Sequence, residues 1–431
     1  MINKNLILKN IPIFSILTSL VFWSNPAYGN ILRFVYLMTF VCFFFDDKYF
    51  KLLCSNYKKA LYLLIFIFFH YISIKVYNIE IDIYKFYFNS LLILINFIFL
   101  ICFWNTFKEN YEKILKLYVN ILTLIISLII IISLDFSQII KSCRPEEASV
   151  YLRSYLGEFS HVALLGLPIS LYTFFYLKYN PAIILLILLF LYVNSFTLMI
   201  TFLFFVVIYF LLNINKTEVL LKKRNLSIFL IIALIYQTFF HQNCFQRVSG
   251  LEKIYNDDQI SIKNFLPNYN NRDFLQNNIT ENESLINEDK KLILKTENLS
   301  LQVILYNLLV MKNSLQDYPF GIGLGNYSNS FHRYKDIISK EIIFERRVFV
   351  LNDSDGSSLF IKTITELGLF SIFIFYYFFI LFFNKKINRK YLILLILLLA
   401  IQSIRGVGYF NAAGAFLLLS LFYLNKDKNI K

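Results

Sequence analysis

Charge is scarce in this chain. Asp, Glu, Lys and Arg make up 16% of 431 residues, against 58% hydrophobic and 19% aromatic. That balance excludes a water-soluble globular protein, which could not hide so much Phe, Ile, Leu and Tyr. Acidic residues are the fewer sign, 28 against 42 basic, for a formal net charge of +14. Alanine and glycine are also few, and the heavy use of Lys, Asn, Ile, Tyr and Phe reads as the bias of an AT-rich genome, so single Asn or Lys residues carry little weight. With 4 His and 5 Cys, no Cys/His spacing resembles a zinc site. There is no internal repeat of the kind many transporters show. Gly321, Gly323 and Gly325 alternate, but no strand precedes them, which excludes a dinucleotide fingerprint.

Long apolar runs are what the chain has in abundance. A helix needs about 20 apolar residues to cross roughly 30 Å of hydrocarbon, where open backbone finds no partner. Runs of this type cover Ile11–Trp23, Ile31–Phe45, Ala60–Tyr77, Tyr84–Trp104, Ile114–Leu134, Phe159–Leu177, Ala182–Val193, Leu198–Leu212, Leu226–Phe240, Leu359–Phe383, Tyr391–Ile404 and Ala412–Leu424. They predict an all-α polytopic integral membrane protein of about 12 transmembrane helices. Residues 182–212 are either two short helices turning at Asn194-Ser195-Phe196-Thr197 or one bent span.

Lys and Arg favour the two-helix alternative. Lys4 and Lys9, Lys48 to Lys59, Lys108 to Lys116, Lys216 to Arg224, Lys385 to Lys390, and Lys426 to Lys431 fall in alternate connections. They share the cytoplasmic face only if both termini do and twelve spans separate them. The net charge therefore reports topology, and nucleic-acid binding is not expected. The same topology divides the chain into transmembrane helices 1–9 with an outward loop at 135–160 (residues 1–240), a large extracytoplasmic loop domain (241–358) and transmembrane helices 10–12 (359–431). The run at Ile11 lacks a small-residue cleavage site and reads as a retained helix, not a signal peptide. Cys143 and Cys244 both face outward, where they are either bridged, tying the 141–160 loop to the root of the large domain, or two unpaired thiols.

Three outward segments hold the candidate chemistry. Arg144 precedes Arg153, Glu158 and His161, which enter a helix mouth; ionisable groups at a membrane boundary are costly without partners, so these are functional candidates unless Arg153 and Glu158 are an interfacial ion pair. In the large domain, Leu299–Leu309 has the period of an amphipathic helix and Asp317-Tyr318-Pro319-Phe320-Gly321-Ile322-Gly323-Leu324-Gly325 closes it. Alternating glycines allow a tight loop with N–H groups turned toward a ligand. His332, Arg333, Arg346 and Arg347 follow, each a candidate or simply exposed, before a helix containing Thr365-Glu366-Leu367-Gly368. Last, Arg405 stands at the outward turn Ser403–Asn411 against the inward bias of positive charge, as a ligand or as an arginine reaching lipid phosphates.

In order, these elements resemble the bacterial O-antigen polymerase and ligase superfamily, most of all the Wzy-type polymerases. Arg153, Gly157, Glu158, Ser160 and His161 are similar to its Arg...Gly-Phe...Glu-Pro-Ser-His signature, with Phe159 in place of proline. Pro319 to Gly325 resembles its Pro-x-Gly-x-Gly-x-Gly loop, and Glu366-Leu367-Gly368 its Glu-x-Gly. The likeness covers about the second two-thirds of the chain. Where the ligase branch carries a histidine, nine positions before the glutamate, this chain has Ser357. Its Ser-Arg turn is Asn194-Ser195-Phe196-Thr197 here.

The resemblance implies an enzyme of the bacterial cytoplasmic membrane that joins undecaprenyl-pyrophosphate-linked oligosaccharide repeat units into O-antigen or a related surface polysaccharide. A ligase, or a flippase for the same lipid-linked units, is the alternative. Arginine forks suit the departing pyrophosphate, which implies Arg153, Arg405 and Arg347 as its ligands. Glu158 or His161 would orient or deprotonate the attacking sugar hydroxyl. The donor is already activated, so neither a cofactor nor a metal is expected. Membrane lipid, a chain-length regulator and a flippase are the implied partners.

Overall fold

The computed structural model describes residues 4–22, 51, 54–55, 57–77, 81–133, 159–190, 196–213, 292–293, 299–344, 346–353, 356–383 and 389–404. Apolar runs become helices α1 (Lys4–Phe22), α2 (Tyr57–Val76), α3 (Ile83–Ser133), α4 (Phe159–Phe175), α5 (Ala182–Leu188) and α6 (Phe196–Asn213). The polar region contributes α7 (Leu299–Asp317), α8 (Tyr327–Arg333), α9 (Lys335–Glu341) and a 3-10 turn (Arg346–Phe349). Beyond it come α10 (Leu359–Leu367), α11 (Ser371–Phe383) and α12 (Arg389–Ile404). The one addition to an all-helical chain, among the described residues, is a pair of two-residue parallel strands, Leu292–Ile293 on Ile342–Ile343.

By length and composition, Ile83–Phe103, Thr106–Ile131 and Leu359–Tyr376 are able to cross a membrane, and Asn10–Phe22, Ala60–Val76, Leu164–Phe175 and Tyr391–Ser403 are shorter apolar helices. Their outer faces fit that reading. Leu61, Phe68 and Phe69 on α2 and Ile372, Phe373 and Phe379 on α11 are exposed, more large apolar side chains on two helices than scattered single exposures on a water-facing surface would give. Lipid removes the hydrophobic drive between helices, so close packing must hold the bundle. α1, α3, α4, α5, α6 and α12 share one core, with rings such as Phe175, Phe205 and Tyr209 in mutual contact. Gly166 lets Leu122 and Leu189 approach α4, an added Cβ standing 3.2 Å from Leu122 Cδ2.

A second core belongs to the polar region. Val303, Tyr306 and Val310 recur at helical spacing on α7 and bury against Phe331, Tyr334, Ile338 and Val348, so the amphipathic period at Leu299–Leu309 is met and continues to Asp317. A third, smaller core joins Ile74 and Phe86 to Leu324 and Leu367. It fastens α2 and the start of α3 to the glycine loop.

The described spans differ from expectation in two places. The expected spans starting at Tyr84 and at Ile114 lie in one continuous helix, α3, ending at Ser133, with no turn at the intervening lysines. Residues 104–113 contain no Gly or Pro, and Glu109/Lys113 have the i,i+4 order that favours helix. Leu359–Phe383, in contrast, is broken: α10 ends at Gly368, with φ +55°, and a 3-10 turn leads into α11. For residues 182–212, Phe190 and Phe202 have ring centroids 5.4 Å apart, whereas a straight helix would separate those positions by about 18 Å. The chain therefore folds back between α5 and α6. The runs at Ile31–Phe45, Leu226–Phe240 and Ala412–Leu424 lie outside the described residues.

Candidate functional site

The glycine loop and the break after α10 are one structure. Ile322 N–H donates to Thr365 O at 3.2 Å, Gly323 N–H to Glu366 O at 2.9 Å, and Leu369 N–H to Pro319 O at 2.8 Å. A helix interrupted within an apolar, buried stretch needs such partners, because the freed backbone groups have no water to turn to. Close approach is what demands glycine here. A Cβ on Gly321 would fall within 3.0 Å of the Glu366 carbonyl, and one on Gly368 within 3.0 Å of Pro319 O and Gly321 N; both residues have positive φ.

Glu366 completes the joint through its side chain. Although it is fully buried, its Oε2 accepts the Gly325 N–H at 2.8 Å and its Oε1 the Tyr327 N–H at 3.2 Å. Lys362 Nζ stands 3.8 Å from Oε1, one turn earlier on α10. Asn326 extends the contact to α3 by accepting the Asp82 N–H at 2.8 Å. The expectation of N–H groups turned toward a ligand is thus corrected. The amides of Gly321, Ile322, Gly323, Gly325, Asn326 and Tyr327 all donate to acceptors of this chain. The loop is a clasp.

Above the clasp, a polar network, buried except at Asn352, closes the mouth of α10. The Tyr327 hydroxyl donates to Asn307 Oδ1, and the amides of Asn307 and Asn352 both donate to Ser357 Oγ, at 3.2 and 2.7 Å. Ser357 has φ +60° and Asn352 the same, a conformation seldom adopted by a residue with a side chain. Ser358 caps α10, accepting from Ile361 N at 3.3 Å, and its hydroxyl also donates to the carbonyl of Ser403 near the end of α12. Nearby, Tyr334 donates to Asp317 Oδ2 at 2.6 Å; burial first, then that carboxylate, raises the phenol's pKa, so it stays a donor.

Two of the nominated residues have described side chains, and both are on the surface. His332 Nε2 lies 3.5 Å from Asp353 Oδ2, with the two side chains 55% and 42% exposed. The Arg333 guanidinium sits 5.0 Å over the Tyr318 ring. Arg346 and Arg347 open the 3-10 turn that packs on α7, and His161 lies in the first turn of α4. Arg144, Arg153, Glu158, Arg405, Cys143 and Cys244 lie outside the described residues.

Helix directions nevertheless relate several of these positions. Tyr172, near the last turn of α4, stacks on Tyr391, near the first turn of α12, at 6.4 Å, and the helices pack on one another, so they run antiparallel. The start of α4, with His161, and the end of α12, one residue before Arg405, therefore share an end of the bundle. The bond from Ser358 to Ser403 brings the mouth of α10 to that same end.

Sequence reasoning missed Lys362 and the holding role of Glu366. The available signal was a lone base and a lone acid four positions apart in an otherwise apolar helix start. Among the described residues, no three His, Cys, Asp or Glu side chains gather within metal-binding reach. Comparison with protein families, with curated proteins and with solved structures finds no match for the chain.

Proposed function

We propose that this chain is a membrane glycosyltransferase that polymerises undecaprenyl-pyrophosphate-linked oligosaccharide repeat units on the outer face of the bacterial cytoplasmic membrane. The observation that carries the reading is the interlock of Pro319–Gly325 with Glu366–Gly368. These are two of the motifs on which the resemblance to Wzy-type polymerases rests, and residues 41 positions apart, Gly325 and Glu366, are hydrogen-bonded to each other. The shared bundle end of α4, α10 and α12 is a second support, since it is where the signature begun by Arg153 and the turn bearing Arg405 would meet.

In this reading Lys385, Lys386, Arg389 and Lys390 hold the opposite end, where α12 starts, in the cytoplasm, which puts the shared end outside it. A sugar hydroxyl of one lipid-linked unit attacks the anomeric carbon of the glycan on the other, and the bond to the pyrophosphate oxygen breaks. Arg153, Arg405 and Arg347 bind the departing diphosphate, whose growing charge is what the site must stabilise. Glu158 or His161 accepts the hydroxyl proton. Ser357, at the ligase branch's histidine position, is buried and accepts two amide donors, which favours a polymerase over a ligase.

A flippase reading would draw on the broken helix, since transporters build substrate sites at such breaks. Here the backbone around the break is paired with the glycine loop, which favours a fixed joint. Full-length protein in nanodiscs, given undecaprenyl-pyrophosphate-linked repeat units, should yield a ladder of lengthened glycans and free undecaprenyl pyrophosphate. Repeat units recovered at their original length would refute the proposal.

A further inference from the structure

An ionisable side chain inside a membrane-crossing stretch is costly unless partners compensate it, and Leu359–Tyr376 carries two in its α10 part, one turn apart. Glu366 is 0% and Lys362 8% exposed, with Nζ 3.8 Å from Oε1. At that separation the contact is an ion pair rather than a good hydrogen bond. The hydrogen-bonding capacity of the carboxylate is directed elsewhere, onto the N–H groups of Gly325 and Tyr327. The acid grips the loop and the base stands over the acid. Among the described residues, other ionisable groups also lie near the joint: His70 of α2, buried against Phe86 and Phe370, sits beside the backbone of Glu366 and Phe320, while Asp82 and Lys85 pair with each other at 3.6 Å at the partly exposed start of α3.

We propose that Lys362 is a positioning residue: its charge compensates Glu366, which in turn clasps the glycine loop and fastens the polar domain to the membrane-embedded helices. Two features require the charge rather than the bulk of Lys362. The carboxylate is removed from solvent, where an uncompensated charge costs far more than a lost packing contact. Its two amide partners belong to a loop whose other attachments to α10 are backbone bonds, so the side chain of Glu366 is the adjustable part. The inference does not depend on the reaction, and it stands or falls separately from the proposed polymerase activity.

The test is hydrogen exchange at Gly325 to Tyr327 in the full-length chain in nanodiscs. It compares Lys362→Met, Glu366→Gln, the double variant and Lys362→Arg. Loss of a charge-assisted bond predicts that Lys362→Met exchanges about ten- to hundredfold faster than the parent protein. Lys362→Arg should exchange more slowly than Lys362→Met, and adding Lys362→Met to Glu366→Gln should cause no further acceleration. Equal acceleration by Lys362→Met in both backgrounds would show no coupling and overturn the proposal, as would arginine performing no better than methionine. If Lys362→Met does not fold, the double variant decides. Folding with exchange matching Glu366→Gln supports the latch; failure to fold overturns it, because a neutral pair leaves no buried charge.

Discussion

Replacing Gly368 with alanine should detach the glycine loop from the helix break. The residue has φ +55° and ψ −132°, a region that costs a residue with a Cβ about 1–3 kcal/mol. The new methyl would fall within 3.0 Å of Pro319 O, Gly321 N and Phe320 C, all backbone atoms that cannot swing aside. Relieving that overlap must lengthen Leu369 N–H to Pro319 O and Gly323 N–H to Glu366 O, at about 1 kcal/mol each. The total is about 3–5 kcal/mol. Gly166→Ala is the control: its Cβ meets the ends of flexible side chains, Leu122 at 3.2 Å and Leu189 at 3.4 Å, and the gain in helix propensity, about 1 kcal/mol, offsets the squeeze. Thermal unfolding of both full-length variants in nanodiscs, with hydrogen exchange over residues 318–330, measures the difference. An unfolding midpoint and exchange pattern for Gly368→Ala equal to those of the parent would refute the reasoning.

Tyr327→Phe should destabilise by about 1–3 kcal/mol, since the buried Asn307 loses its hydroxyl donor; an unchanged unfolding midpoint would remove that network from the account. Arg333→Ala should cost less than about 1 kcal/mol, because its contact with Tyr318 is exposed, as the same unfolding measurement would show. Cysteines at positions 190 and 202 should cross-link readily if the chain folds back between α5 and α6, whereas a single bent span would keep them apart. In cells, Arg153→Ala should leave surface lipid bearing single repeat units at normal protein level, and a full polymer ladder in that variant would take Arg153 out of the site.

Hydropathy made the helices legible because lipid imposes one requirement, internal pairing of the backbone, that any long apolar run meets. It could not show where a helix bends or breaks. The junction at 104–113 is polar enough to suggest a turn, yet it holds Glu109 and Lys113 at helical spacing and no breaker. The break at Gly368 is invisible in an apolar run because its cause lies in the remote Pro319–Gly325 loop. The same loop shows why the site was only half legible. Three alternating glycines announce a close approach but not its partner, and here the partners are the Glu366 backbone at Gly321, Ile74 and Phe86 at Gly323, and Asn89 and the Lys85 carbonyl at Gly325. Lys362 reads as an ordinary charge near a helix start until burial shows it beside Glu366.

Whether the chain polymerises repeat units is read from the surface glycan of cells that lack it. Those cells should carry lipid with single repeat units, and the ladder should return when the chain is supplied again. An unchanged ladder, polymer left unattached, or no units at the surface would contradict polymerisation.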